Sequence, residues 1–253
     1  MNRTGLIIAL AFAAVVGFVF GLFPQLDLAI SALFYPIMRF GYAFGLHLDP
    51  SFMLARDIGL WTGTGIIVLV LAAVVIKLIL PKRRLLIPGR AIVFLIATIA
   101  LGPGLFVNVI LKDHWGRPRP IDVTQFGGNE HFVPWWDSRG DCPNNCSFVS
   151  GDVSGAFWTV APAALVPPAW RVLTYGAALT LGAGMAVLRI LMGAHFFSDV
   201  AFAGIFTFLI IWIVHGLIYR WPRTRLSDEA VERRLERFSG SVVGIFRKRK
   251  TEL

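Results

Sequence analysis

Apolar residues run along this chain in long unbroken blocks, without the alternation of a half-buried strand or the narrow stripe of a surface helix. Residues 5–23, 60–80, 91–111, 172–192 and 200–219 carry almost no charge. Each reaches the roughly 20 residues needed to cross about 30 Å of hydrocarbon. Residues 155–170 form a shorter sixth block, interrupted by Pro162, Pro167 and Pro168, which a span tolerates where neighbouring helices satisfy the freed carbonyls. The pattern predicts an all-α integral membrane protein, a six-transmembrane-helix bundle with an extracytoplasmic loop region. Residues 1–225 would form the membrane domain and 226–253 a basic cytoplasmic tail. The first block is too long for a signal-peptide core, and no small-x-small cleavage site follows before Pro24, so an uncleaved span is expected.

The polar stretches between the blocks are uneven. In residues 24–59, Leu28, Ile30, Leu33, Phe34 and Ile37 are spaced either for one or two amphipathic helices at the outer interface or for an ordinary structured loop. Residues 112–154 are the largest extramembrane element, rich in Gly, Pro and Asn and containing Trp115, Trp135 and Trp136, a residue type that anchors at headgroup depth. Residues 227–238 read as a short amphipathic helix with Ser227 or Asp228 as its N-cap.

Composition agrees with the blocks: 56% of residues are hydrophobic, 15% are charged and the mean hydropathy is +0.69, which excludes an ordinary soluble domain. Most of the 24 cations fall on one side of the predicted spans: Arg3, Lys77, Lys82, Arg83, Arg84, Arg90, Arg171 and the tail from Arg220 to Lys250. The other side holds Arg39, Arg56, Lys112, Arg117, Arg119, Arg139 and Arg189. That asymmetry places both termini in the cytoplasm and residues 112–154 outside. The net charge of +9 is then a tail beside anionic lipid headgroups, each basic residue contributing about 1 kcal/mol near the surface, and no nucleic-acid module is present. The only cysteines, Cys142 and Cys146, lie in the outward loop. They form either a small disulfide loop ahead of Ser147 or two free thiols. No metal-ligand set and no cofactor motif is evident, and nothing sets the oligomeric state.

Three short segments beside predicted spans carry the chemistry, at depths where charge is costly and usually functional. The first runs from Lys112 to Pro120, the second is Ser147-Phe148-Val149-Ser150-Gly151-Asp152, and the third runs from Arg189 to Asp199. Lys112, Arg119 and Arg189 would supply cations to a phosphate, for which planar guanidinium forks are well shaped. The amides of Ser150 and Gly151, leading into a helix, would add donors; removing one preorganised donor costs about 3–4 kcal/mol of transition-state stabilisation. His195 is the candidate nucleophile. Asp199 lies four residues on, one turn away if both share a helix, where its carboxylate would bond Nδ1 and leave Nε2 free to attack. Phosphohistidine formation and hydrolysis need no metal.

These spacings resemble the type-2 phosphatidic-acid phosphatase family, related to vanadium haloperoxidases. The family's first signature is Lys, six residues, Arg-Pro, matched by Lys112 and Arg119-Pro120. Its third is Arg, five residues, His, three residues, Asp, matched by Arg189, His195 and Asp199, with Leu188 in place of the usual Ser. Its second, Pro-Ser-Gly-His, reads here Val149-Ser150-Gly151-Asp152, lacking the proline and the histidine. In the family that histidine protonates the leaving oxygen. Asp152 either takes over as the acid, leaves the role empty because the leaving group is good, or caps the following helix in competition with Ser154. His131 is a weaker substitute acid. His114 and Arg117 are possible substrate contacts, with structural placement or a solvated loop cation as the alternatives.

The resemblance implies a metal-independent hydrolase acting on a membrane lipid phosphate at the periplasmic face of a bacterial inner membrane. The altered second signature and Trp-rich loop are similar to lipid A phosphatase-type members. Undecaprenyl pyrophosphate, phosphatidylglycerophosphate and phosphatidic acid are the alternative substrates. A lipid phosphotransferase and a non-catalytic lipid-binding protein are the rival functions.

Overall fold

A computed structural model describes residues 2–35 and 44–251, with side chains to residue 240. Ile37 and Arg39 lie outside the described residues. In chain order the helices are α1 (Arg3–Leu22), α2 (Gln25–Ala32), α3 (Pro50–Ile79), α4 (Gly89–His114), α5 (Gly151–Phe157), α6 (Val160–Leu165), α7 (Pro168–Leu191), α8 (Phe197–Arg220) and α9 (Asp228–Thr251), joined by short helical turns and loops. Among the described residues there is no strand, only an isolated bridge between Val123 and Glu130. Five helices, α1, α3, α4, α7 and α8, are long and apolar enough to cross a membrane.

The expected sixth span is not one helix. Residues 155–170 are divided between α5 and α6, and the chain turns extended at Val166 ahead of Pro167. Pro162 has no N–H to offer the Trp158 carbonyl, which removes the helical bond one turn upstream. The backbone tightens there into shorter-range bonds, Ala161 N to Trp158 O at 2.8 Å and Thr159 N to Ala156 O at 3.2 Å. End to end, α5 and α6 reach only about 22 Å at 1.5 Å per residue.

Proline also reshapes α4. From Ala100 to Leu111 the helix winds wider than an α-helix, with Pro103 inside the stretch. Asn108 Nδ2 donates to the Pro103 carbonyl at 2.7 Å, and the amide of Lys112 reaches back five residues to Val107 O. Such wide turns re-aim everything beyond them, so Lys112 leaves the helix at a phase that a 3.6-residue repeat does not predict.

The chain divides into two compact units, Met1–Gly63 with Thr98–Trp212 and Thr64–Ala97 with Ile213–Leu253. The first contains all three motifs. Its core joins Val16 and Phe20 of α1, Val107 and Leu111 of α4, Phe148 and Val149 of the loop, and Val200 and Phe202 of α8. Two loop tryptophans expected at headgroup depth belong to this core: Trp115 stacks on Phe148 with ring centroids 4.9 Å apart, and Trp135 meets Phe202 at 4.4 Å. Trp115 Nε1 donates to Trp135 O at 2.8 Å, which satisfies the indole's polar handle inside an apolar stack. Of the three, only Trp136 is exposed.

In the second unit, Lys77 of α3 is buried, and its ammonium donates to Glu232 and Glu236 of α9, each at 2.7 Å, and to the Arg83 carbonyl at 2.8 Å. Arg90 pairs with Asp228, and Ser227 Oγ accepts the Ala230 amide at 3.1 Å as the N-cap of α9. The helix predicted over residues 227–238 is therefore longer, and its acidic face meets a buried lysine.

Candidate active site

The third motif straddles the end of α7, a turn, and the start of α8. Arg189 lies in the last turn of α7. Gly193 follows with φ +64°, and a Cβ at its position would sit 2.4 Å from the Phe44 ring, so only glycine makes this turn without strain. The turn is tied to the first motif by Ile121 N donating to Gly193 O at 3.0 Å. It delivers His195 to a buried position two residues before α8 begins.

His195 Nδ1 lies 2.8 Å from the carbonyl oxygen of Ser147. A carbonyl only accepts, so Nδ1 carries the proton and Nε2 keeps the lone pair. Asp199 was expected in that role, but its Oδ2 is 3.9 Å from Nδ1 and accepts instead from Ser147 Oγ at 2.6 Å and the Phe196 amide at 2.8 Å. The aspartate thus acts on the imidazole through Ser147, holding the residue whose carbonyl fixes the ring. Burial and the charges of Arg189, Arg119 and Lys112 hold the His195 imidazole well below its usual range, against a smaller pull from the Ser147 bond. The three predicted cations, drawn from two distant segments, therefore converge on one neutral histidine.

Behind this ring lies a closed ionic cluster. Arg117 is fully buried. Its Nη1 donates to Asp199 Oδ1 and to Ser198 Oγ, its Nη2 donates to Asp27 Oδ2 at 2.8 Å, and its Nε donates to Val133 O at 3.0 Å. Its guanidinium carbon lies 4.5 Å from the centre of the Phe196 ring. Asp27, from α2, also accepts the Ser198 amide at 2.9 Å and the Ser198 hydroxyl. Arg117 is accordingly neither a substrate contact nor a solvated loop cation: it is fully buried, and each nitrogen of its fork donates inside the protein.

Asp152 has a different setting. Its Oδ2 accepts from Arg56 Nε at 2.6 Å and lies 3.2 Å from Arg189 Nε. Burial alone would raise this carboxyl, but the Arg56 hydrogen bond and the charges of Arg189, Arg56 and Lys112 outweigh it and hold Asp152 below the ordinary carboxylate range. It is ionised at neutral pH. The Arg189 Nε is buried and, although 3.2 Å from Asp152 Oδ2, has no hydrogen-bond acceptor of suitable geometry. Helix capping falls to neither Asp152 nor Ser154. Ser150 caps α5, its Oγ accepting the Val153 amide at 3.4 Å, while Ser154 pairs with Thr207. Gly151 opens α5 with its Cα against Asn108, where a Cβ would meet Oδ1 at 2.5 Å.

Residues 142–146 are drawn onto the first motif. Cys142 and Cys146 form a disulfide. Between them Asn145 accepts from Lys112 Nζ at 2.7 Å through its side chain and from Arg119 Nη2 at 2.8 Å through its carbonyl. His114 is exposed, with Nδ1 turned back to the Val109 and Ile110 carbonyls at 3.1 Å; His131 is exposed. Beside the site an apolar groove of about 570 Å³ runs between α1, α7 and α8, lined by Ile8, Phe12, Ala186, Ile190, Val200 and Phe208 among others. Ile190 directly follows Arg189 in the chain.

Several members were not foreseen from sequence. Asp27, Ser198, Ser147, Arg56 and Asn145 are single polar residues with no signature spacing. Only the cost of burying an unpaired charge hinted that some partner for Arg117 must exist.

Residues 91–225 match the PAP2 superfamily. A Francisella tularensis subsp. novicida protein named Lipid A 4'-phosphatase is 35% identical over 223 residues, which cover 87% of this chain and 98% of that protein. Two proteins of the same name, from Rhizobium leguminosarum and Rhizobium etli, are each 41% identical over 105 residues, 42% of this chain and 45% and 41% of their own lengths. No solved structure matches. The matched residues 91–225 contain Lys112, Arg119, Asp152, Arg189, His195 and Asp199 but neither Asp27 nor Arg56.

An Arg117→Lys substitution keeps the charge and loses the fork, so one ammonium must serve Asp27, Asp199 and Ser198. The expected loss is about 3–5 kcal/mol, as for a broken buried pair, read as a lowered unfolding temperature in detergent. An unchanged unfolding temperature would show that the cluster does not hold these segments together.

Proposed function

The chain belongs to the PAP2 superfamily as a membrane lipid phosphatase, and from that premise we propose that it hydrolyses a phosphate ester of lipid A at the outer face of the bacterial inner membrane. The observation that carries the chemistry is the neutral, buried His195, its Nδ1 held by the Ser147 carbonyl and three cations gathered on it. In this reading Lys112, Arg119 and Arg189, with the amides of Ser150 and Gly151, bind the equatorial oxygens of the phosphate. His195 Nε2 attacks phosphorus, a P–N bond forms as the P–O bond to the lipid breaks, and water then cleaves the phosphohistidine to release inorganic phosphate. Asp199 steadies Ser147 and so orients the ring.

Asp152 takes the place of the family's acid histidine without its task. Ionised and tied to Arg56 and Arg189, it aligns Arg189 for the phosphate, and the leaving oxygen takes its proton from solvent. The groove between α1, α7 and α8 receives an acyl chain while the phosphorylated sugar stays in the aqueous loop region. Charge asymmetry puts the termini in the cytoplasm, with the basic tail near anionic headgroups. A second reading, undecaprenyl pyrophosphate, is favoured by the same ionised Asp152, because a departing phosphate needs no proton.

The direct test is phosphate release in detergent from lipid A, undecaprenyl pyrophosphate and phosphatidylglycerophosphate, without an acceptor lipid, comparing wild type with His195→Ala. Release from lipid A that His195→Ala abolishes is expected. Release only in the presence of a second lipid would make the protein a phosphotransferase, and equal release by the variant would remove His195 from the chemistry.

Asp152→Asn separates anchor from acid. As an anchor, its loss slows lipid A and p-nitrophenyl phosphate by the same factor, about tenfold to hundredfold. An acid would be needed only for the poorer leaving group, so sparing of p-nitrophenyl phosphate would restore the acid role.

The pH profile follows from His195. Its neutral form attacks, and its proton affinity is depressed, so kcat/KM should hold steady on acidification through the ordinary histidine range near pH 6.5 and fall only below it. An acid limb centred at or above that value would contradict the neutral nucleophile.

A further inference from the structure

Lys112 and Arg119 lie at opposite ends of the first motif, and two like charges brought to one phosphate repel each other whenever the phosphate is absent. Something must hold them converged in the free enzyme. Asn145 touches both: its Oδ1 accepts from Lys112 Nζ at 2.7 Å and its carbonyl accepts from Arg119 Nη2 at 2.8 Å. Presenting both oxygens requires an unusual backbone, and Asn145 has φ +48°, a left-handed conformation that asparagine adopts more readily than other non-glycine residues. The conformation is enclosed by the Cys142–Cys146 disulfide. That ring is itself bound to the first motif through Cys142 N to Gly116 O at 3.1 Å and Cys146 N to Lys112 O at 2.9 Å, and the next residue continues with Ser147 N to Arg117 O at 2.8 Å. The same strand of contacts thus runs from the cation pair to the residue that orients His195.

We propose that Asn145 is a positioning residue for phosphate capture, whose carboxamide and carbonyl oxygens hold Lys112 and Arg119 together before substrate arrives, and that the disulfide ring keeps it in place. Each cation has further donors, so both remain available to a phosphate while staying bonded to Asn145. The role rests on the phosphate site described under the proposed function. It accounts for an exposed polar residue engaging two partly buried cations, and for a cysteine pair whose second member lies four residues before Ser150 of the second signature.

The test reads inorganic phosphate as a competitive inhibitor of wild type and variants, together with KM and kcat on a lipid phosphate. Asn145→Ala should weaken phosphate inhibition about tenfold, as expected for one lost charge-assisted hydrogen bond, and raise KM more than it lowers kcat. Asn145→Asp, of the same shape, places a carboxylate between the cations and should weaken phosphate more strongly than Asn145→Ala. Cys142→Ser with Cys146→Ser should shift phosphate in the same direction. In a Lys112→Met background, with equilibrium phosphate binding as the readout, Asn145→Ala should add little, because its partner is already gone. Phosphate constants within twofold of wild type in both Asn145 variants, or full additivity with Lys112→Met, would overturn the proposal. A wild-type protein that neither binds phosphate nor hydrolyses lipid phosphates would instead overturn the phosphatase reading beneath it.

Discussion

A guanidinium cannot shed its charge, and Arg117 is wholly enclosed, so the surrounding chain must supply acceptors on every side of it. It does so from three separate places: Asp27 of α2, the Val133 carbonyl of the loop between α4 and α5, and Ser198 with Asp199 at the start of α8. Taking any one away would leave a buried N–H donor of this guanidinium without its acceptor. The consequence is geometric. The segment between the first two spans, the first motif and the third motif must close on one point, and His195, four residues before Asp199, is carried to the edge of that closure.

Around this cluster the site has two electrostatic regions with opposite properties. In the inner one, two carboxylates enclose one guanidinium and nothing is left over for a ligand. In the outer one, Asp152, with Asp57 beside Arg56 and Asp113 near Lys112, faces Arg56, Arg189, Arg119 and Lys112, and the four cations outnumber the three carboxylates. Arg189 makes this concrete, since its Nε is close to Asp152 yet has no well-aligned acceptor. Under the proposed function a phosphate entering the outer region would meet donors already in place, while the Ser147 carbonyl holds the histidine ring by its Nδ1. Burial first, and then the charges of Arg189, Arg119 and Lys112, hold the imidazole well below its usual range.

Five long apolar helices and the gathering of Lys112, Arg119 and Arg189 around His195 were legible in the chain, because long apolar runs and fixed motif spacings are local properties. The failures have particular causes. The one-turn argument linking His195 to Asp199 assumed a shared helix, but α8 starts at Phe197, so the histidine lies before the helix and a backbone carbonyl reaches it first. Arg117 was read as facing water or substrate because a charge in a polar loop ordinarily does; its partners lie 82 and 90 residues away. Arg56 and Asp152 are 96 apart, and no window of sequence joins them. The sixth span is not confirmed: residues 155–170 are divided between α5 and α6, and Pro162, which lacks an N–H, accounts for the break.

The acceptor that sets the histidine tautomer is a main-chain oxygen, and this has a genetic corollary. No codon change can delete a carbonyl, so a saturation scan would register residue 147 only through its hydroxyl and its tether to Asp199. The atom that orients the His195 ring would stay silent in such a map, and homologues could drift in side chain there while retaining the same directional hold on the ring.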